Sequence, residues 1–393
     1  ARAEGLGVGW VTLFDPDSLA ALLQLPDGVV TLGWLCLGWP DERPPAPGLE
    51  RAGWSQRLPL EQVVVRNRWP TADLASPPSH LRGPAPAEVV AARDDADTLL
   101  TPLGSLGVLD RAVDRAVALG VGAGTPGMLV LAVGRHPVAS LGVSAFAPSV
   151  TDDVLSASRA GRSLGAVAAA AAGLELLTVD TGSAVGDLET TDPLDPDAVD
   201  RLMAEGEALG SRGGLVALGE VGVGNTTVAA ALAAATLDLA PERVVGLGAG
   251  SDAAIVERKV AVVRAALARW RSGGEESPQG RLCALGGPEL ALLTGVVLGA
   301  CRSGGLVVLD GLATSVAALL AVELAPGAAA HLVAGQRSRE QAHPLVLDAL
   351  GLEPLLDLRI RAGEGVGAAL AAQLLRTGLR VRAEGARTHP TGP

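Results

Sequence analysis

The residues able to do chemistry stand in three glycine-flanked segments. The longest is Gly219-Glu220-Val221-Gly222-Val223-Gly224-Asn225-Thr226-Thr227, between an apolar run and an alanine-rich one. Glycines let the backbone turn tightly and present N–H groups, and a helix start adds partial positive charge, so such a loop suits an anion. It departs by one residue from the P-loop pattern G-x-x-x-x-G-K-[ST], because Asn225 stands where the lysine belongs. Without that cation a β/γ-phosphate loses its main contact, which favours a monophosphate over ATP. A glycine-rich connection with no ligand is the plain alternative. The second segment, Gly246-Leu247-Gly248-Ala249-Gly250-Ser251-Asp252, is either a tight turn or a further contact to the same ligand. Lys259, the only lysine of the chain, follows about two turns into the next helical stretch. It is a point charge for a phosphate or sugar, or else a chance surface lysine. The third segment, Arg361-Ala362-Gly363-Glu364-Gly365-Val366-Gly367-Ala368, leaves the Glu364 carboxylate uncrowded at a helix mouth. There it can accept a proton if partly kept from water, or it simply favours the helix dipole. Asp310-Gly311 closes an apolar run, so Asp310 either holds ribose hydroxyls or caps; Thr314-Ser315 cap the helix beyond. His331 and His343 lack zinc spacing to carboxylate partners, and His343 reads as structural.

The elements that must position these segments alternate. Apolar runs at 128–133, 174–179, 215–218, 244–247, 306–309 and 332–334 read as buried parallel strands. Helical stretches at 156–172, 226–237, 253–270, 289–301 and 314–324 lie between them. Strand, turn and helix in repetition predict an α/β fold: a doubly wound, mostly parallel, Rossmann-like sheet with a smaller helical part, and a ligand site at the carboxyl ends of the strands. The glycine clusters fall at those ends.

Composition narrows the function. The chain has 393 residues and a net charge of -12, which argues against a nucleic-acid or anionic-membrane surface. There is no tyrosine and there are two phenylalanines, so the core must be leucine, valine and alanine. Cys36, Cys283 and Cys301 are too scattered for a disulfide framework or a zinc site and read as buried thiols of a reducing compartment. With no secretory signal pattern and no stretch long enough to span a bilayer, the expectation is cytoplasmic. A start inside a helix-like segment and internal methionines alone (Met128, Met203) read as a fragment or a processed chain. Trp10, Trp34, Trp39, Trp54 and Trp69 crowd the opening, leaving only Trp270 beyond. A proline-rich stretch carrying Pro70, Pro77, Pro78, Pro84 and Pro86 follows. The expected organisation is a first segment at 1–70, a linker at 71–90, a main domain at 91–386 and a tail at 387–393.

The order of segments resembles the nicotinate-nucleotide–dimethylbenzimidazole phosphoribosyltransferase family from Leu99 to Arg380. The markers are Gly104-Ser105-Leu106-Gly107, Gly142-Val143-Ser144-Ala145 with Val150-Thr151, the loop at 219–227, Arg258-Lys259, Gly286-Gly287, Leu309-Asp310-Gly311, Gly335 with Arg337-Ser338, and Gly363-Glu364-Gly365. The resemblance implies transfer of phosphoribose from nicotinate mononucleotide to a benzimidazole-type base, with Glu364 as general base. It implies nucleotide binding by Glu220, Gly222, Val223, Gly224, Asn225, Thr226, Gly248, Gly250 and Lys259. Asp310 and Thr314 join them as substrate-binding candidates, and Ser144 falls in the loop near the base pocket. It implies no metal or redox cofactor, and a homodimer. A homologue that binds nucleotide or base without turnover, and a P-loop NTPase, are the other readings.

The first seventy residues resemble the carboxyl-terminal part of 5,6-dimethylbenzimidazole synthase, a flavin-consuming enzyme of the nitroreductase fold. The resemblance rests on residues 1–11, Leu35-Cys36-Leu37-Gly38, Glu50-Arg51-Ala52-Gly53-Trp54 and Asn67-Arg68-Trp69. It implies a partial nitroreductase-like α+β segment, inactive alone, ahead of the transferase. Departures from the transferase pattern are Arg135 for an aspartate, Thr101 for a lysine, Asp153 for a glutamine, Gln336 for a histidine and Ala249 for a threonine. They suggest intact nucleotide binding with altered base recognition.

Overall fold

The computed structural model describes residues 7–11, 15–23, 34–38, 81, 83–246 and 253–388. The chain forms two compact units, Ala1–Pro45 and Ala46–Pro393. The first contains strand β1 (Gly7–Val11), helix α1 (Pro16–Leu23) and strand β2 (Trp34–Gly38), with the strands antiparallel and Gly9 opposite Cys36. Cys36 is exposed there, contrary to the expectation of a buried thiol, and Cys283 is half-buried; only Cys301 lies in the core. The expected linker falls largely outside the described residues, as do Trp39, Trp54 and Trp69.

The second unit opens with α2 (Pro86–Asp97) and α3 (Val108–Ala118), then β3 (Gly127–Arg135), α4 (Val150–Arg159), α5 (Leu164–Ala171), β4 (Glu175–Ser183), α6 (Pro196–Gly210) and β5 (Leu215–Val221). It continues with α7 (Asn225–Leu237), α8 (Pro241–Val244), α9 (Ala253–Arg271), α10 (Pro278–Leu285), α11 (Pro288–Arg302), β6 (Leu306–Leu309), α12 (Leu312–Leu324), β7 (Leu332–Ala334), α13 (His343–Leu350) and α14 (Val366–Glu384). The strands form one sheet in the order β4-β3-β5-β6-β7, with every pairing parallel. Strand order reverses at β3, so the crevice between β3 and β5 is the switch point. Met128, Val130 and Ala132 face a core shared with α6, α7, α9, α11 and α12, while Leu129 faces one shared with α3, α5 and α14. Both faces are covered, which is why these strands read as unbroken apolar runs. The smaller helical part is α2, α3 and the end of α14, tied by the buried Arg382, which donates to Ala92 O at 2.8 Å and Asp114 at 2.6 Å. Among the described residues no helix is long and apolar enough to cross a membrane.

Two expected elements differ. Of the strand expected over 244–247, the described residues 244–246 are not a strand: Pro241 starts a helical turn, and Val244 and Val245 are buried in the helix-covered core. The helix expected over 156–172 is two. Gly161 turns the chain at φ +69°, and Ser163 accepts the Ala166 N–H at 3.2 Å to cap a new start.

Helices α6 and α11 touch through backbone. A Cβ at Gly206 would stand 2.0 Å from Leu292 O, and one at Gly299 would stand 2.1 Å from Glu207 O. Gly299→Ala should therefore lower stability by roughly 1–3 kcal/mol in urea denaturation. Gly273→Ala, with open space around it, should change it by less than about 0.5 kcal/mol.

His343, fully buried, ties the segment after β7 to α12. Its Nδ1 accepts the Ser338 N–H at 2.9 Å and its Nε2 faces Ser315 Oγ at 3.0 Å, which defines the neutral Nε2–H form. Burial, helped by the charge of Arg337, pushes its pKa down to about 4. The unfolded chain binds this proton first as pH falls from about 6.5, so stability is full above that value and drains toward pH 4. The loss should be about 3 kcal/mol. Denaturation at pH 7 and 4.5 should show a flatter acid limb for His343→Gln than for the parent.

Candidate active site

A cavity of about 250 Å³ opens at the carboxyl ends of β5, β6 and β7. The loop after β5 is its floor. Gly224 adopts φ +99° as the N-cap of α7, a conformation open to glycine. Two amides of this loop are already used: Val223 N–H donates to Thr151 Oγ1 at 3.0 Å and Asn225 N–H to Gly222 O at 3.1 Å. The Asn225 side-chain amide donates to the Glu220 carboxylate, so the residue in the lysine's place serves the loop itself. Glu220 is pushed up to about 8, first by loss of water and then by the charges of Glu289 and Asp310, against the Asn225 hydrogen bond.

Lys259 enters from α9, only 4% exposed, with Nζ 3.5 Å from Thr226 Oγ1. Burial lowers its pKa and the Glu340 carboxylate opposes that; burial raises Glu340 in turn. Ser144 also lines the cavity, and its Oγ accepts the Phe146 N–H at 3.1 Å.

Glu364 comes from the crossover into α14. Gly363, Glu364 and Gly365 all have positive φ, at +66°, +57° and +75°. Glycine accepts this readily, while Glu364 holds it at a cost of roughly 1 kcal/mol or more. Its N–H donates to Glu220 O at 3.2 Å, and its Oε2 accepts the Gly165 N–H at 3.0 Å. Gly165 sits in the first turn of α5, so the carboxylate meets the positive end of a helix other than the one it precedes. Gly165 and Gly219 must be glycine here: a Cβ would stand 2.3 Å from Glu364 O and 2.6 Å from Gly365 N, respectively.

Asp310, 2% exposed at the end of β6, accepts the Gly365 N–H at 3.2 Å and Gln336 Nε2 at 2.9 Å. Burial pushes it up to about 6 against these bonds and those from Gly367 and Ala368.

The structure thus brings together Glu220, Gly222, Val223, Gly224, Asn225, Thr226, Lys259, Asp310, Ser144 and Glu364 around one cavity. Thr314 does not reach it. Fully buried, its hydroxyl accepts the Asp310 N–H at 2.9 Å and donates to Gly311 O at 3.0 Å, so it shapes the turn instead of binding substrate. Gly248 and Gly250 lie outside the described residues. Of the departures among the described residues, Gln336 alone lines the cavity. Arg135 points to a neighbouring cavity, held by Asp152 at 2.5 Å and Asp180 at 2.6 Å. Thr101 and Asp153 are exposed on the surface. Sequence reasoning did not name Thr151, Phe146, Ser338, Arg339 and Arg361 as wall residues. The Val150-Thr151 pair and the Arg361 that opens the third segment were the available signals.

Residues 82–391 match the model of the family described as Phosphoribosyltransferase. A nicotinate-nucleotide–dimethylbenzimidazole phosphoribosyltransferase of Mycobacterium avium (strain 104) is 38% identical over 323 residues, covering 75% of this chain and 91% of the relative. The protein of that description from Thermus thermophilus is 37% identical over 324 residues, covering 75% and 95%. A crystal structure of CobT from Thermus thermophilus superposes with a TM-score of 0.72 at 35% identity, covering 77% of this chain and 97% of that one. The chain belongs to the nicotinate-nucleotide–dimethylbenzimidazole phosphoribosyltransferase family.

Proposed function

We propose that this chain transfers phosphoribose from nicotinate mononucleotide to 5,6-dimethylbenzimidazole or a related base. The products are α-ribazole 5′-phosphate and nicotinate, in the lower-ligand branch of cobalamin biosynthesis. The observation that carries the reading is the convergence of Glu364 and the loop at 219–227 on one cavity, with Glu364 N–H on Glu220 O. Glu364 takes the N–H proton of the base while the other ring nitrogen attacks C1′. The C1′–N bond breaks and its electron pair leaves on the nicotinate ring nitrogen. The loop and Lys259 hold the phosphate end, so that binding energy places C1′ against the base. Glu220, protonated near neutrality, adds no second negative charge beside Glu364.

Gln336, the one departure on the wall among the described residues, is where altered base recognition is assigned; its amide is spent on Asp310. A nucleotide-binding homologue without turnover is the second reading, favoured by that substitution. The segment at 1–70 fits a 5,6-dimethylbenzimidazole synthase-like, partly nitroreductase-like piece, which makes this a fusion with the supplier of the base, joined by a linker at 71–90. The homodimer follows from the resemblance and the cytoplasmic setting from the cysteine pattern; both stand as proposals.

In a labelled nicotinate-release assay, Glu364→Gln should lose about 10²–10⁴-fold in kcat while its nucleotide affinity stays within about twofold. An inactive parent would support the second reading. Glu220 makes a separate prediction. Its neutral form is favoured by the fold, so stability is full below about pH 4.5 and is lost as pH rises toward 8. The Tm of Glu220→Gln should gain on the parent steadily from pH 5 to pH 8, and a constant gap would contradict the buried assignment.

A further inference from the structure

Behind the cavity floor stands an ionisable pair with no part in the chemistry above. His136 follows β3 and Glu289 lies in the first turn of α11; their side chains are 2% and 0% exposed, with Nε2 and Oε1 3.1 Å apart. Among the described residues, neither ring nitrogen of His136 and neither carboxylate oxygen of Glu289 has a well-aligned hydrogen-bond partner, so the two meet as a close ion-pair contact alone. A pair so buried is commonly no more stabilising than apolar side chains of the same volume, so its retention asks for a reason.

The surroundings supply one. Three glycines from three different elements make the room. A Cβ at Gly134 would stand 2.1 Å from Glu289 Oε2, and one at Gly287 would stand 2.5 Å from His136 Cε1. The third is Gly222, in the anion loop, whose Cβ would lie 2.8 Å from His136 Nε2 and 3.0 Å from Cδ2. The loop therefore rests on the Gly134 carbonyl of β3, which would lie 2.6 Å from that Cβ, and on the imidazole edge beside it. Thr151 fixes the next residue from the other side through the Val223 N–H. Glu289 also acts on Glu220 through space, so the pair touches the loop sterically at Gly222 and electrostatically at Glu220.

We propose that His136 and Glu289 are a positioning pair for the sugar-phosphate end of the nucleotide. Packed against each other and against Gly222, they set the height and orientation of the loop at 222–224. Neither touches substrate. Neither lines the cavity, so their effect reaches it through the loop that holds the nucleotide.

The inference rests on the nucleotide reading of the cavity and is tested in the full chain. Nicotinate mononucleotide affinity is measured by calorimetry and KM for both substrates by nicotinate release, for His136→Leu, Glu289→Leu, the double variant and Glu289→Gln. The leucine variants should each weaken nucleotide binding about tenfold, with kcat and the KM for the base within about twofold. The double variant should be no weaker than either single one, because the pair acts as a unit. Glu289→Gln, which keeps the shape and a polar end against the imidazole, should recover most of the loss. Nucleotide affinity unchanged in the leucine variants, additive losses, or equal losses for both substrates would overturn the inference. If the leucine variants do not fold, His136→Asn and Glu289→Ala carry the same comparison, with Glu289→Gln still the variant that recovers. A parent that fails to bind nicotinate mononucleotide would instead sink the nucleotide reading itself.

Discussion

The carboxylate of Asp310 holds the site together. It is buried at the end of β6, yet it accepts the amides of Gly365, Gly367 and Ala368 and the side chain of Gln336. Gly365 is the N-cap of α14 and has no side chain to satisfy the helix's first N–H groups. Asp310 does that from a different strand. The helix must then begin where β6 ends, and the chain entering it is forced through three consecutive left-handed residues. That path aims the Glu364 side chain at α5 and its backbone at Glu220. Gly367 confirms how close the approach is, since a Cβ there would stand 2.5 Å from Asp310 Oδ1.

Much of the scaffold was legible because strands covered on both faces leave apolar runs with no other reading. The run at 244–247 misled for the same reason: burial against helices and burial in a sheet look alike over four residues, and Pro241 was the local signal for a helical start. The split at Gly161 was hidden by alanine and leucine on both sides of it. In the site, the loop at 219–227, Lys259 and Glu364 announced themselves by glycine flanks or by rarity. Thr314 could not be placed from sequence, because a hydroxyl four residues after an aspartate serves a turn or a ligand equally well. Thr151, Ser338 and Arg361 come from distant segments that only the parallel crossovers bring together.

The cavity also solves a charge problem. Glu220, Asp310, Glu340 and Glu364 all line it, against Lys259, Arg339 and Arg361. Four ionised carboxylates in so small a space would repel an anionic nucleotide. Burial keeps protons on Glu220 and favours them on Asp310 and Glu340. Glu364 has a different environment, a backbone amide at a helix start. Glu220 is thereby a neutral hydrogen-bonding group on the cavity wall.

The missing lysine of the loop follows from the same arrangement. An ammonium at position 225 would face Glu220 directly and favour its ionised form, since an opposite charge within a few ångströms stabilises a carboxylate. Asparagine gives Glu220 a hydrogen bond without a full charge. The cation is instead supplied from α9, where Lys259 reaches the loop beside Thr226. Separating the positive charge from position 225 lets the cavity carry a cation at Lys259 and a neutral acid at Glu220. The sequence therefore departs from the nucleoside-triphosphate pattern at the position where that pattern would undo the chemistry.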